Sequence, residues 1–248
     1  MAELKFNFVK EALLRCKDAQ DKATAAWHQQ EPQNTLEVCP IDIENAPAEA
    51  GAVFADKYAH SASVPNTQGS GPDIKADPLV ALSMAQHLMN FKLWHTEDQA
   101  RRKDVGDNVI AECKRTIDGF NQLRNNFMEK VDACIVGMCL PYLPQTDSPR
   151  YNTESIGAAV DRLSILSLKI YHMREETERT DVDAAHIESC RHKLFTLLEQ
   201  REDLFTAILE LIDDYAAGLK RPRVYYQFKM YNDPRLNPAL YKNSAPSR

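Results

Sequence analysis

The chain has 248 residues, a formal net charge of −6 and 44% hydrophobic residues, enough apolar side chain for a sizeable core in one large domain or two small ones. Eight glycines and the lack of any G-x-G-x-x-G or Walker A pattern argue against dinucleotide and P-loop chemistry, and the modest acidity gives no electrostatic footprint for DNA. No run of about 18 apolar residues occurs, so nothing is expected to span a membrane.

Residues 4–29 carry an apolar stripe at three- and four-residue spacing (Val9, Leu13, Cys16, Ala23, Trp27), which predicts a first helix. Charges scattered through this segment predict no secretory signal. Residues 30–76 are rich in Pro, Asn, Ser and Gly and read as a long loop or linker, in which "AEAGAVFADKYAH" is a candidate short helix. Asp77 as N-cap and Pro78 at the first helical position start a second helix that runs to about Arg102. Asp107 is read as the cap of a third, ending at Cys139 before "LPYLP". A fourth runs from near Thr153 to near Thr177. A fifth starts after Asp181 and stops at Gly218, a natural C′ residue. The tail "KRPRVYYQFKMYNDPRLNPALYKNSAPSR" is aromatic, basic and broken by proline. It is expected to lie extended over the bundle, held by its aromatics with its charges facing water; residues 242–248 are expected to be disordered. The fold class is therefore all-α, a long antiparallel up-and-down bundle.

The six cysteines form no C-x-x-C and sit mostly at helix positions that read as small apolar residues. Reduced core thiols and a cytoplasmic protein are expected.

Polar residues interrupt the apolar stripes. Asn121 and Arg124 break the third helix, Arg201 the fifth, Asp161 and His172 the fourth, and His87 and Asp98 the second. A charge on a buried face requires a partner. With turns placed near residues 105, 148 and 180, a rise of about 1.5 Å per residue sets Asp161 level with Arg201 and Arg124 level with His172. The expectation is an Asp161–Arg201 ion pair, and a mid-bundle cluster of His87, Asn90, Asn121, Arg124 and His172. An arginine with no carboxylate at its own level invites an anionic ligand. A purely structural network is the alternative for both groups.

Three stretches carry a resemblance: "NFKLWHTEDQARR" (90–102), "ESIGAAVDRLSILSLKIYHMREE" (154–176) and "YYQFKMYNDPRLNPALY" (225–241). Together they resemble the bacterial domain-of-unknown-function family DUF4254, whose members accompany cell-envelope glycan genes. The likeness covers about residues 77–241, and the N-terminal "AAWH" with Trp27 and His28 also fits. It implies no activity. The matching positions include Trp94, His95, Glu97, Asp98, Arg101, Asn121, Arg124, Asp161, Arg162, Lys169 and His172.

Other chemistries fit less well. His95-x-x-Asp98 and His172-x-x-Glu175 reverse the Glu-x-x-His order of di-iron bundles, so salt-bridged helix faces are expected there rather than a metal or cofactor. Glu199-x-x-Glu202 and Glu210-x-x-Asp213 imitate the magnesium pairs of helical pyrophosphohydrolases, but such pairs are common on solvated helices. Ser164 and Ser167 are expected to bond back to their own helix. The basic and aromatic tail suits single-stranded nucleic acid less well than docking, and a further option has Lys229 or Tyr231 closing the site.

The functional expectation is a protein that binds or acts on a small anionic ligand, such as a sugar phosphate or sugar nucleotide. Arg124, Asn121, His87, Asn90 and Lys229 are its binding candidates. His172 and His95 are its acid–base candidates, since imidazole titrates near neutrality. The alternative is a non-catalytic protein partner of an envelope-glycan enzyme.

Overall fold

The computed structural model describes residues 6–34, 77–230 and 233–241. Most of the expected loop at 30–76, its candidate helix, Tyr231 and the segment 242–248 lie outside the described residues. The described chain forms six helices: α1 Asn7–Trp27, α2 Pro78–Gln99, α3 Asp107–Cys139, α4 Ile156–Glu178, α5 Ala184–Ala216 and the single turn α6 Pro238–Tyr241. A 3-10 turn, Leu140–Tyr142, follows α3. Among the described residues there is no strand, only one isolated bridge between Arg150 and Lys220.

The centre of the bundle is α2. Every residue from Leu79 to Phe91 is buried, the polar Ser83, Gln86, His87 and Asn90 included, the pattern of an element surrounded by others. Its start is fixed by Asp77, which accepts from the backbone of Leu79 and Val80 at 3.1 and 3.3 Å. Arg15 of α1 holds the same carboxylate through Nε and Nη2. The cap thus also locks α1 against α2. Far from standing apart, α1 packs on α2 and α4 and buries Val9, Leu13, Cys16 and Trp27 in the common core. The hairpins α2–α3 and α4–α5 make the most extensive contacts.

Caps refine the helix starts. Gly106, not Asp107, is the N-cap of α3. Ser155 caps α4 by accepting from Ala158 N–H, and Asp183 caps α5 by accepting from His186 N–H. The end of α5 is as expected. Gly218 has φ +72°, and the Leu219 and Gly218 amides donate to the carbonyls of Asp214 and Tyr215, the paired bonds of a Schellman motif.

The connection between α3 and α4 departs from the simple hairpin. Sixteen residues, 140–155, separate the two helices, and they carry the chain back along α3. Gly157 therefore meets α3 at Met128 and Asp132, well short of its C-terminus. Antiparallel helices in contact at 157 and 128 bring residue 161 level with residue 124. The approach is close: a Cβ on Gly157 would sit 2.4 Å from the Met128 carbonyl oxygen. Gly157→Ala should therefore destabilise the protein by about 1–3 kcal/mol, although alanine is intrinsically the better helix former by about 1 kcal/mol. Urea denaturation reads this; an unchanged or higher midpoint would show that the two helices separate freely there.

The tail is extended as expected, but its contacts are reversed. Arg221, Gln227 and Lys229 bond to the Arg150 carbonyl, Glu129 and the Asn121 carbonyl. Tyr225, Tyr226, Phe228 and Met230 are exposed, Phe228 to 78%. Polar and backbone groups hold this strap, and its aromatics face outward.

Candidate functional site

Polar side chains, buried except at Arg124 and Asp21, form a continuous line across the bundle. At one end, Arg124 of α3 makes a two-pronged pair with Asp161 of α4, Nε to Oδ1 at 2.9 Å and Nη2 to Oδ2 at 2.6 Å. Asn90 of α2 donates to Asp161 Oδ1 at 2.8 Å and to Ser164 Oγ at 2.9 Å. Ser164 meets His87 Nδ1 at 2.7 Å, and His87 Nε2 meets Thr24 Oγ1 of α1 at 3.0 Å. Thr24 contacts Ser167, which donates to Asp21 Oδ1 at 2.8 Å. Arg201 of α5 closes the line on Asp21 Oδ2 at 2.6 Å and on the Lys17 carbonyl.

The donors settle the tautomer of His87. Thr24 donates to the Gln20 carbonyl at 2.8 Å, so it receives the His87 Nε2–H, while Nδ1 accepts from Ser164. Burial, helped by the positive charge of Arg201, pushes His87 down to about 3. It is a neutral core histidine.

Several expectations are corrected by this arrangement. Asp161 pairs with Arg124, and Arg201 pairs with Asp21. The doubling back of residues 140–155 shifts the register, and α1 supplies a carboxylate that the four-helix scheme omitted. His172 is absent from the line because it lies three turns beyond Asp161, about 16 Å of helix rise. Ser164 and Ser167 bond across the bundle instead of to their own helix. Arg124 has a carboxylate at its own level, which removes the argument that it lacks a protein partner.

Beside the Arg124 end lies a solvent-open cleft of about 340 Å³ between α2, α3 and α4. Asn90, Asn121 and Arg124 line it, as do Trp94, Glu97, Asp98 and Arg101, with Leu93, Ile165 and Leu168 as apolar wall. Six of the resemblance positions thus meet there. Glu97 and Arg101 pair one turn apart at 2.5 Å. Arg124 keeps 26% of its side chain exposed, and its Nη1 has no partner among the described residues. Lys229 reaches this region, donating to the Asn121 carbonyl at 3.2 Å. His87, buried beneath, does not line the cleft. Arg162 pairs instead with Glu154 on the surface.

Trp94 separates this cleft from a second, mostly apolar cavity of about 600 Å³ lined by Lys169, His172, Met173, His192, Lys193 and Leu197 among others. His172 stacks flat on Trp94, with ring centroids 4.7 Å apart. The structure brings the two acid–base candidates together: the rings of His95 and His172 lie 5.7 Å apart, with His28 of α1 against both. Burial and the neighbouring imidazoles lower the pKa of His95, which favours its neutral form.

The family model described as Protein of unknown function (DUF4254) matches residues 81–224. The chain belongs to the DUF4254 family. No curated protein and no solved structure matches it. The DUF4254 match takes in α2 to α5 and the cleft, and leaves α1 outside. Asp21 and Thr24 nevertheless come from α1 and His28 from its C-cap. The sequence signal that marked His28 was the "AAWH" stretch; Asp21 and Thr24 lie off the apolar stripe and carried none.

Proposed function

We propose that this DUF4254 protein binds a small, polar, anion-bearing ligand in the cleft between α2, α3 and α4. The observation that carries the reading is Arg124. Its guanidinium is anchored by Asp161 on one edge and opens on the cleft with the other. A guanidinium fixed in this way offers a preset fork to a phosphate or carboxylate group. The Asn121 amide and the Asp98 carboxylate supply donors and acceptors for hydroxyl groups, the Asn90 NH2 being committed to Asp161 and Ser164, and Trp94 and Leu93 an apolar floor. Six polar or charged side chains converge here on four apolar ones, and convergent polar groups beside an apolar wall are how small-molecule clefts achieve orientation. Because Arg101 and Arg124 are each paired with a carboxylate, the cleft suits a phosphorylated sugar or sugar nucleotide better than a bare anion. The free cysteines, four of the five described being buried, support a cytoplasmic setting, and the family resemblance a bacterial one near envelope-glycan synthesis.

Thermal-shift measurements against sugar phosphates and sugar nucleotides test the reading. At least one should raise the Tm of wild type, and the shift should vanish in Asn121→Ala/Arg101→Ala, which changes the cleft and leaves the buried line intact. A shift that survives the double substitution, or no shift from any such ligand, would reject the cleft as the site.

A second reading, a non-catalytic partner of an envelope-glycan enzyme, is supported by the outward-facing Tyr225, Tyr226, Phe228 and Met230 on the tail.

A further inference from the structure

His28, His95 and His172 come from three helices, and ring nitrogens of all three lie within 4.8 Å of one another. The closest approach is between His28 Nε2 and His172 Nε2, at 3.2 Å. The opposite nitrogens explain what those two atoms carry. His28 Nδ1 lies 2.6 Å from the Thr24 carbonyl oxygen, which only accepts. His172 Nδ1 lies 2.8 Å from a Glu175 carboxylate oxygen, which likewise only accepts when ionised. Each Nδ1 therefore holds the proton in a neutral ring, and each Nε2 turns a bare lone pair toward the other. Two lone pairs at that distance repel unless a cation lies between them. His95 Nε2 is also buried and without a hydrogen-bond partner among the described residues, a costly state for a polar atom.

We propose that these three imidazoles hold one divalent transition-metal ion of the zinc type. Nitrogens each about 2.0–2.1 Å from a tetrahedral ion stand roughly 3.3–3.4 Å apart, close to the spacing of the His28 and His172 pair. The surroundings match the donors. Glu175 and the Thr24 carbonyl hold the distal nitrogens in the way carboxylates and carbonyls orient metal-binding histidines. Tyr171 stacks on His28 with centroids 4.0 Å apart, Trp94 stacks on His172, and the Phe91 edge abuts His28 and His95. These contacts orient the His28 and His172 rings, and the His95 nitrogen, within 4.8 Å of the other two, has to close toward roughly 3.3–3.4 Å to join them. Three neutral imidazoles without a thiolate select borderline ions such as Zn²⁺, Co²⁺ or Ni²⁺ over Mg²⁺ or Ca²⁺. A three-ligand set also leaves a coordination position for water or substrate, and His172 borders the cavity between α4 and α5. The three ligating residues are not among those lining the cleft, although Trp94 borders both, and the site does not depend on that reading.

The test is calorimetric titration of tag-free, chelator-stripped protein with Zn²⁺, and visible absorption on adding Co²⁺. One equivalent should bind per chain, with the absorption of a low-symmetry, nitrogen-ligated Co²⁺ ion. His95→Ala and His172→Ala should each lose more affinity than the roughly 10–100-fold typical of a lost outer partner. Glu175→Gln should lose about tenfold, and because Glu175 is half exposed it reports even if a histidine variant fails to fold. Circular dichroism of the metal-free variants checks folding. Glu176, His186 and Cys190 form a separate potential ligand group. Binding that persists in His95→Ala and disappears in His186→Ala/Cys190→Ser would overturn the proposal. So would a wild type that binds neither ion, which would leave a shared proton between His28 and His172.

Discussion

Replacing Asp161 with alanine is expected to cost about 3–5 kcal/mol and to lower the Tm by roughly 10 °C or more. Asp161 is almost fully buried, at 3% side-chain exposure, and accepts from Arg124, Asn90 and Gln86. Its loss takes one of two hydrogen bonds from each of the Asn90 and Gln86 amides, which keep Ser164 and the Gly157 carbonyl, and leaves Arg124 with an uncompensated charge. Partial exposure of Arg124 lets water relieve some of that cost, so Arg124→Met, which strands the more deeply buried carboxylate, should be at least as damaging. The double variant Arg124→Met/Asp161→Leu should recover much of the loss, since apolar packing often replaces a buried pair without penalty. Urea unfolding of the four proteins gives the coupling energy. A cost below about 1 kcal/mol for Asp161→Ala would mean the pair is not formed in solution.

Acid should weaken the fold through His87. Its folded pKa, about 3, is far below the ordinary imidazole value of 6.5. The unfolded chain then binds the extra proton between those values and the folded chain does not. Stability from this group is complete above about pH 6.5 and drains away as the pH falls toward 3, at up to roughly 1.4 kcal/mol per pH unit. Asp132 acts in the opposite sense. Burial raises it to about 6 from 3.8, so the folded chain binds the extra proton between those values and gains stability on acidification. The His87 contribution must therefore be read as a difference. His87→Gln keeps a donor toward Thr24 and an acceptor toward Ser164, and it should lose less stability than wild type between pH 7.5 and pH 5. Equal losses in the two proteins would mean that His87 is charged or solvated in the fold.

Helices and core were legible because they depend on local rules (stripe period, Asp77 before Pro78, Gly218 after the last apolar turn), whereas the caps of α3, α4 and α5 fell one or two residues from their expected positions. Partners were less legible, because they depend on register and rotation between helices. A turn near residue 148 was a fair guess from length alone. Nothing in residues 140–155 reveals that they run back along α3, and that one fact puts Asp161, in place of His172, level with Arg124, while Arg201 is turned to Asp21 of α1. The cleft side chains on α2 and α3 were found because they interrupt apolar stripes or fall within the resemblance. The histidine group was only half visible. Its members share no motif, each helix contributing one, and the third sits at the end of α1, beyond a long polar stretch that hides its nearness to α2. The tail misled because aromatics usually bury themselves, whereas here lysine, arginine and backbone groups make the attachment.

The clamp at Gly157 also says something about how this chain tolerates change. The vertical position of α4 is set where its first turn abuts Met128 and Asp132, and not by how many residues lie between α3 and α4. Inserting or deleting a few residues within 145–149, beyond the core contact of Leu143 and the Arg221 bond to Pro144, should then alter loop-closure entropy by only a few tenths of a kcal/mol, while Arg124 and Asp161 stay in register. The same change of length within 158–160, past the clamp, would rotate Asp161 away from its partner. Length variation belongs on one side of Gly157 and is forbidden on the other.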